Sequence, residues 1–250
     1  MKGLEIKGFV EASFCDWDGK ISTVIFLPGC NLRCPFCQNG RLVLEPESTP
    51  SVDFLSLRSY LVRNKGWIDG VVVTGGEPTI WADLEHLLED IKALGLGVKL
   101  DTNGTRPGAL EGLLNRGLVD YVAMDIKAPL DGRYATLAGC DVDLDAIRQS
   151  IAIISSAPGL GDAYEFRTTL VPGLVGEAEV VGIAQAITGA ARYVLQQFIP
   201  ENTLASDLRR AIPYSDDFVL HLVKMARPHV RFCFFRGKAT AALSPGGGPL

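Results

Sequence analysis

Apolar residues recur along the chain in short, nearly continuous runs: Ile21 to Leu27 (ISTVIFL), Gly70 to Thr74 (GVVVT), Gly97 to Asp101 (GVKLD), Asp120 to Asp125 (DYVAMD), Tyr164 to Leu170 (YEFRTTL) and Arg192 to Phe198 (RYVLQQF). Runs of this length, apolar on both alternating faces, suit strands buried on both sides of a parallel sheet. Between them the apolar spacing changes to the helical repeat. From Trp81 to Leu94, residues Leu84, Leu87, Leu88, Ile91 and Leu94 share one stripe, and Gly95 can end the helix. Further helical patterns span Val52 to Arg63, Gly108 to Arg116, Leu144 to Ser155, Glu177 to Ile187 and Asp216 to Met225. Strands alternating with helices in this way predict an α/β fold of repeated βα units, either doubly wound or wrapped as a barrel. A seventh run, Val230 to Phe235, would extend the sheet, and Glu5 to Phe14 would form an N-terminal edge strand or hairpin. No linker divides the chain, so residues 1–240 read as one domain and 241–250 as a flexible tail.

Composition narrows this picture. With 47% apolar and 21% charged residues in 250, the chain is neither disordered nor collagen-like. A chain of this length buries a core without disulfides or structural metals, so its 6 Cys need another reason. Lys and Arg total 24 against 29 Asp and Glu, for a net charge of -5 without any basic run, which argues against nucleic acid as a partner. The opening MKGLEIKGFVEASF has no apolar stretch of signal-peptide length, and no window approaches the roughly 18 apolar residues of a membrane span. The expectation is a cytoplasmic protein, and in a reducing cytosol clustered thiols bind metals or react instead of pairing.

In parallel α/β folds, functional groups collect where strands run into loops at their C-terminal ends. PGCNLRCPFCQNG follows the first of the six runs, GGEP the second and DTNG the third; the fourth ends in MDIK, and the fifth holds Arg167 and leads into VPG. Five successive strand ends therefore carry thiols or polar groups at one predicted edge. Cys30, Cys34 and Cys37 are spaced C-x3-C-x2-C, whereas Cys15, Cys140 and Cys233 are isolated and read as core residues. Thiolates suit zinc, copper(I) or iron-sulfur clusters. A structural zinc wants four ligands, and no fourth lies nearby: His86, His221 and His229 belong to helical segments where a solvated role is simpler. Three thiolates on a tight loop hold three irons of a 4Fe-4S cube and leave one iron open to substrate. The rival reading, a redox C-x2-C at Cys34 and Cys37, leaves Cys30 and GGEP unexplained. Neither a GxGxxG nor a P-loop pattern occurs.

PGCNLRCPFCQN resembles the signature of the radical S-adenosylmethionine (radical SAM) superfamily, and GGEP resembles its methionine-binding motif. The likeness extends over most of residues 7–237. SFCDWDGK, LDTNG, DYVAMDIKAP, YEFRTTLVPG and FFRG look like the activating-enzyme branch, closest to anaerobic ribonucleoside-triphosphate reductase activating proteins and similar to pyruvate formate-lyase activating enzyme. The resemblance implies a partial (β/α)6 barrel in which a 4Fe-4S cluster reductively cleaves SAM. The resulting 5'-deoxyadenosyl radical would take a hydrogen atom from a glycine of a partner glycyl radical enzyme. A low-potential donor such as flavodoxin or ferredoxin would supply the electron.

Carried onto this chain, the resemblance makes Cys30, Cys34 and Cys37 ligands to three irons, with the SAM amino and carboxylate groups on the fourth. Phe36 matches an aromatic position beside the adenine, with packing as the alternative. Gly75 and Gly76 would let backbone approach the methionine moiety, while Glu77 would fix the turn, bonding either SAM or neighbouring backbone. Asp101 and Asp125 would line a monovalent cation site, since oxygen-rich sites suit hard cations. Lys127 would neutralise the SAM carboxylate or close the strand end on Asp125, and Arg167 would approach SAM or pair with Asp125 or Glu165. Where pyruvate formate-lyase activases have a histidine, this chain offers Gln196 and Gln197; Gln197 is taken as the substitute, with the inward-facing one undecided. Asp18 departs from the proline usual in relatives. Residues 38–74 contain no Cys, so a single cluster is expected. The alternative function is a radical SAM enzyme modifying a small molecule.

Overall fold

Strands and helices alternate along residues 4–237, the part of the chain that the computed structural model describes; the tail expected at 241–250 lies outside it. A hairpin comes first, β1 (Gly8–Ser13) antiparallel to β2 (Ser22–Leu27). The remaining strands are β3 (Gly70–Gly75), β4 (Gly97–Thr102), β5 (Tyr121–Asp125), β6 (Tyr164–Leu170), β7 (Arg192–Gln197) and β8 (Phe232–Arg236). They form one sheet in chain order, and β2–β3, β3–β4, β6–β7 and β7–β8 pair parallel. Helices occupy each crossover: α1 (Gly40–Leu44) and α2 (Phe54–Asn64), α3 (Leu84–Ala93), α4 (Pro107–Asn115), α5 (Arg133–Ala138) and α6 (Leu144–Ser156), α7 (Glu177–Ala186), and α8 (Asp216–Ala226). This is the predicted α/β architecture, with the seventh apolar run supplying β8.

Local chemistry accounts for the element ends. Asp53 caps α2 by accepting from the Ser56 N–H at 2.9 Å, and Ser215 caps α8 by accepting from Phe218 N–H. In α3 the predicted stripe buries Leu84, Leu87, Leu88 and Ile91. The continuous apolar runs are buried as expected, with Val71, Val72 and Val73 of β3 and Val122, Ala123 and Met124 of β5 nearly inaccessible.

Backbone packing divides the chain into two compact units. Of the described residues, the first holds 4–31, 39–123 and 145–163; the second holds 32–38, 124–144 and 164–237. Within the first, Trp17 in the β1–β2 turn packs with Val24, Val72, Tyr121 and Ala123. A Cβ on Gly70 would stand 2.7 Å from the Trp17 ring and one on Gly97 3.1 Å, so both glycines make room for the indole. The Lys99 ammonium donates to the Asp16 carbonyl in the same turn. Within the second unit, β6 and β7 stack buried residues: the Tyr193 hydroxyl donates to Thr168 Oγ1, and Thr168 donates to the Ile126 carbonyl. Its buried Glu165 accepts a forked pair of bonds from Arg236 at 3.0 and 3.1 Å.

Candidate active site

The cysteine loop begins where β2 ends, in the first unit. Gly29 has a φ of +74°, a conformation that turns the chain sharply out of the strand. Its N–H donates to the Leu42 carbonyl at 2.8 Å and its carbonyl accepts from the Glu77 N–H at 2.8 Å. A Cβ on Gly76 would lie 1.7 Å from the Gly29 oxygen, and one on Gly75, whose φ is +118°, 2.3 Å from the Leu27 oxygen. Both glycines of GGEP are thus demanded by close approach of the chain's own backbone at the root of the cysteine loop. Asn39, just past that loop, donates to the Gly75 carbonyl at 2.7 Å.

Glu77 is buried, and its carboxylate is fully used inside the protein. One oxygen accepts from Thr79 N–H, Thr79 Oγ1 and Thr102 Oγ1, and the other accepts from Asn103 N–H at 2.6 Å. Burial raises its pKa, and the four donors only partly offset that rise. Through these bonds Glu77 latches the end of β3 to the end of β4. Asp101 lies on β4, partly buried, on the same face as Lys99 two residues earlier. Asn103, a residue the sequence reading passed over, is also in this cluster; its Nδ2 lies 3.8 Å from Cys30 Sγ and 2.9 Å from Asn31 Oδ1.

The second unit carries Cys34, Phe36 and Cys37. Cys34 and Phe36 are buried, and Cys37 N–H closes a tight turn on the Cys34 carbonyl at 3.0 Å. Three main-chain bonds hold this segment: Arg33 N–H donates to the Ala138 carbonyl, Ala205 N–H to the Pro35 carbonyl and Leu204 N–H to the Cys37 carbonyl. Close by, Asp125 at the end of β5 accepts from Arg167 Nε at 2.7 Å and from Lys127 Nζ at 3.0 Å. Burial alone would raise the Asp125 pKa, but the two cations outweigh it and hold the carboxyl at about 2. Lys127 is stabilised as a cation against the same burial, chiefly by Asp125. Its ammonium also stands 5.7 Å from the Phe36 ring centre, a cation–π arrangement. The structure therefore shows Asp125 closing on both Lys127 and Arg167, while Glu165 belongs to Arg236 instead.

Register separates the two glutamines. In parallel strands, residues at the same level share a face, and Thr169 is level with Gln196, whereas Leu170 is level with Gln197. Arg167 is two residues from Thr169, so Gln196 shares the Arg167 face and Gln197 lies on the opposite one. Gln197 Oε1 is instead near Gly237, whose hypothetical Cβ would meet it at 2.8 Å. Sequence alone had no handle on this parity, because RYVLQQF is apolar on both faces up to the glutamines.

The thiol set fits an iron-sulfur cluster. Cys30, Cys34 and Cys37 lie on one short loop whose root and flanks are pinned by backbone bonds, and none of the three is in a disulfide. Among the described residues no three His, Cys, Asp or Glu side chains converge to hold a metal ion. A 4Fe-4S cube would take one thiolate at each of three irons. Of the isolated cysteines, Cys233 is buried and burial pushes its thiol up to about 12, Cys140 is partly buried and Cys15 is exposed on the β1–β2 turn.

The profile of the Radical SAM superfamily matches residues 24–157, more than half of the chain. Over 92% of its length the chain is 32% identical to 94% of a Methanocaldococcus jannaschii protein carrying the provisional name glycyl-radical enzyme activating enzyme. It is 27% identical to the pyruvate formate-lyase-activating enzyme of Clostridium pasteurianum, over 74% of this chain and 76% of that one. A shorter match, 31% identical over 52% of this chain and 54% of the relative, links it to 7-carboxy-7-deazaguanine synthase of Neisseria meningitidis. Among solved structures, a radical SAM methyltransferase from Sphaerobacter thermophilus superposes with a TM-score of 0.68 at 17% identity, covering 90% of this chain and 68% of that one. Among the described residues no helix is long and apolar enough to cross a membrane.

Proposed function

This chain belongs to the radical SAM superfamily, and from that premise we propose that it is an activating enzyme that installs a glycyl radical on a partner enzyme. Membership of the family makes it an enzyme and implies a 4Fe-4S cluster and SAM. When bound, these supply a 5'-deoxyadenosyl radical, which takes a hydrogen atom from a glycine Cα of the partner.

This chain's own residues do the holding and the positioning. Cys30, Cys34 and Cys37 bind three irons through their thiolates. Gly75 and Gly76, kept free of side chains, present backbone for the methionine end of SAM, and Phe36 offers an aromatic face for its adenine. Arg167 and Lys127 form a fixed pair of positive charges beside the cysteine loop. Asp125 balances them, so in this reading the carboxylate serves the cations of the chain ahead of any added monovalent ion, and Asp101 remains the better candidate for that ion. Gln196, on the Arg167 face, takes the place assigned to Gln197 as the hydrogen-bonding substitute for the family histidine. No general base is needed for hydrogen-atom abstraction. A low-potential flavodoxin or ferredoxin supplies the electron, and the reaction takes place in the cytoplasm.

The observation that carries the partner assignment is the extent of the match: the glycyl-radical activating relative aligns along nearly its whole length and that of this chain. The small-molecule reading has one observation in its favour, the similarity to 7-carboxy-7-deazaguanine synthase, but that spans about half of either protein. The test is anaerobic reconstitution with iron and sulfide, followed by SAM and a strong reductant. The expected outcome is 5'-deoxyadenosine from the wild type and none from Cys30→Ala, Cys34→Ala or Cys37→Ala. Adding candidate glycyl radical enzymes should then produce a glycine-centred doublet in the electron paramagnetic resonance spectrum. Turnover of a small metabolite with no partner protein present would overturn the activase reading in favour of the second.

A further inference from the structure

Asn103 stands where three motifs of the sequence meet, and its side chain is 5% exposed. Its backbone N–H is bound by Glu77 of GGEP. Its Oδ1 accepts from Thr105 N–H at 3.0 Å and from Thr105 Oγ1 at 2.6 Å. With the oxygen committed to two donors, the amide has one orientation, and its Nδ2 must face the other way. Of the two hydrogens there, one goes to Asn31 Oδ1 at 2.9 Å, and the other faces Cys30 Sγ at 3.8 Å. Asn31 closes the ring by donating its own Nδ2 to Thr105 Oγ1 at 2.7 Å. Every donor and acceptor of the Asn103 amide is thereby assigned, and the N–H facing sulfur is oriented by the network without any help from the sulfur.

From this geometry we propose that Asn103 is a positioning residue for the Cys30 thiolate whose Nδ2–H sets the reduction potential of the bound cluster. One added electron makes the cluster and its thiolate ligands more negative. A fixed N–H donor stabilises that charge and raises the potential, the more so in a site with little water. The proton stays on nitrogen and no bond to Asn103 forms or breaks; the electron comes from an external low-potential donor. The proposal rests on the assignment of Cys30 as a cluster ligand, and it is independent of which substrate the radical attacks.

Side-chain substitution leaves the backbone N–H that Glu77 uses in place, so the latch between β3 and β4 survives and only the amide is tested. Asn103→Asp keeps an acceptor for Thr105 and replaces the donor by oxygen, while Asn103→Leu removes both without adding charge. Thr105→Val touches neither cysteine nor cluster but removes the hydroxyl that Asn31 and Asn103 share. In the reconstituted holoenzyme, without any partner protein, the midpoint potential is read by redox titration with electron paramagnetic resonance, alongside iron and sulfide content. The expected result is full iron content in all three variants, with midpoints shifted to more negative values: largest for Asn103→Asp, clear for Asn103→Leu and smallest for Thr105→Val. Asn103→Leu is the discriminating case, because a shift confined to Asn103→Asp is a charge effect alone and overturns the proposal, as does an unmoved midpoint in all three. If Asn103→Leu does not fold, an unmoved Thr105→Val midpoint overturns it equally. A wild type that binds no cluster at all would instead remove the cluster assignment, a failure recognisable from iron content before any potential is measured.

Discussion

Two carboxylates of this protein are shifted in opposite directions by what surrounds them. Asp125 has a folded-state pKa of about 2, below the ordinary value of about 3.9 for an unfolded aspartate. Its contribution to stability is therefore complete above the unfolded value and disappears as pH falls from about 4 through about 2. Glu77 is raised, so its contribution has the reverse sense and weakens as pH climbs through its folded value. Asp125→Asn should remove part of the acid limb seen in wild-type urea titrations across that window. It should also destabilise the protein near neutrality by about 2–3 kcal/mol, less than the 3–5 of a fully buried pair because the Asp125 side chain is 29% exposed. Glu77→Gln keeps one oxygen but sets an amide against a donor that has lost its acceptor, the buried Asn103 N–H or the Thr79 and Thr102 group. The expected loss is about 1–3 kcal/mol in equilibrium denaturation, with no recovery at any pH, since an amide does not titrate.

At the scale of elements, glycine separates positions that resist a side chain from those that would welcome one. Gly139 ends α5 with a φ of +69°, and a Cβ there would sit 2.0 Å from the carbonyl of Arg33 in the cysteine loop. Gly139→Ala should abolish soluble expression or cluster retention, through left-handed strain of about 1 kcal/mol or more together with a backbone clash. Gly112, inside α4, has nothing within 4 Å of its hypothetical Cβ. Gly112→Ala should therefore raise the denaturation midpoint, by about 0.5–1 kcal/mol of helix propensity. The same contrast explains what was legible from sequence. The apolar runs gave the strands to within about two residues, and α3 was visible because its stripe covers more than two turns. The short α1 and α5 escaped, since 5 and 6 residues are too few to display a helical period. The C-x3-C-x2-C spacing that singles out Cys30, Cys34 and Cys37 is plain in the sequence. Asn103 was not, because a neutral amide beside a carboxylate in DTNG gives no sequence signal, and its position becomes evident only once Thr105 fixes which way it points.

At the scale of the whole molecule, the question is whether the cluster builds the fold or is received by it. Small metal-dependent domains are unfolded without their metal, because the ligands supply most of what a core would. Here the cysteine loop is anchored by the chain alone. Gly29 N–H to Leu42, Arg33 N–H to Ala138, Ala205 N–H to Pro35 and Leu204 N–H to Cys37 are all main-chain bonds to residues outside the loop. Each unit also has its own buried centre, around Trp17, Val72 and Tyr121 in the first and around Phe166, Tyr193 and Leu195 in the second. The apoprotein should consequently show a cooperative thermal transition with an α/β far-ultraviolet spectrum in the complete absence of iron. Reconstitution should raise Tm without changing that spectrum, because a group that binds only the native state stabilises it in proportion to ln(1 + [L]/Kd). The triple variant Cys30→Ser, Cys34→Ser, Cys37→Ser should melt within a few degrees of the wild-type apoprotein and stay there when iron and sulfide are added. Trp17→Ala should act in the opposite manner, lowering stability by about 3–5 kcal/mol with and without the cluster, since it empties a packed space between Gly70, Gly97 and Tyr121 rather than a ligand position. An apoprotein that melts without cooperativity would mean that the main-chain anchors around the loop are too weak to hold it, and that the cluster is part of the folding nucleus.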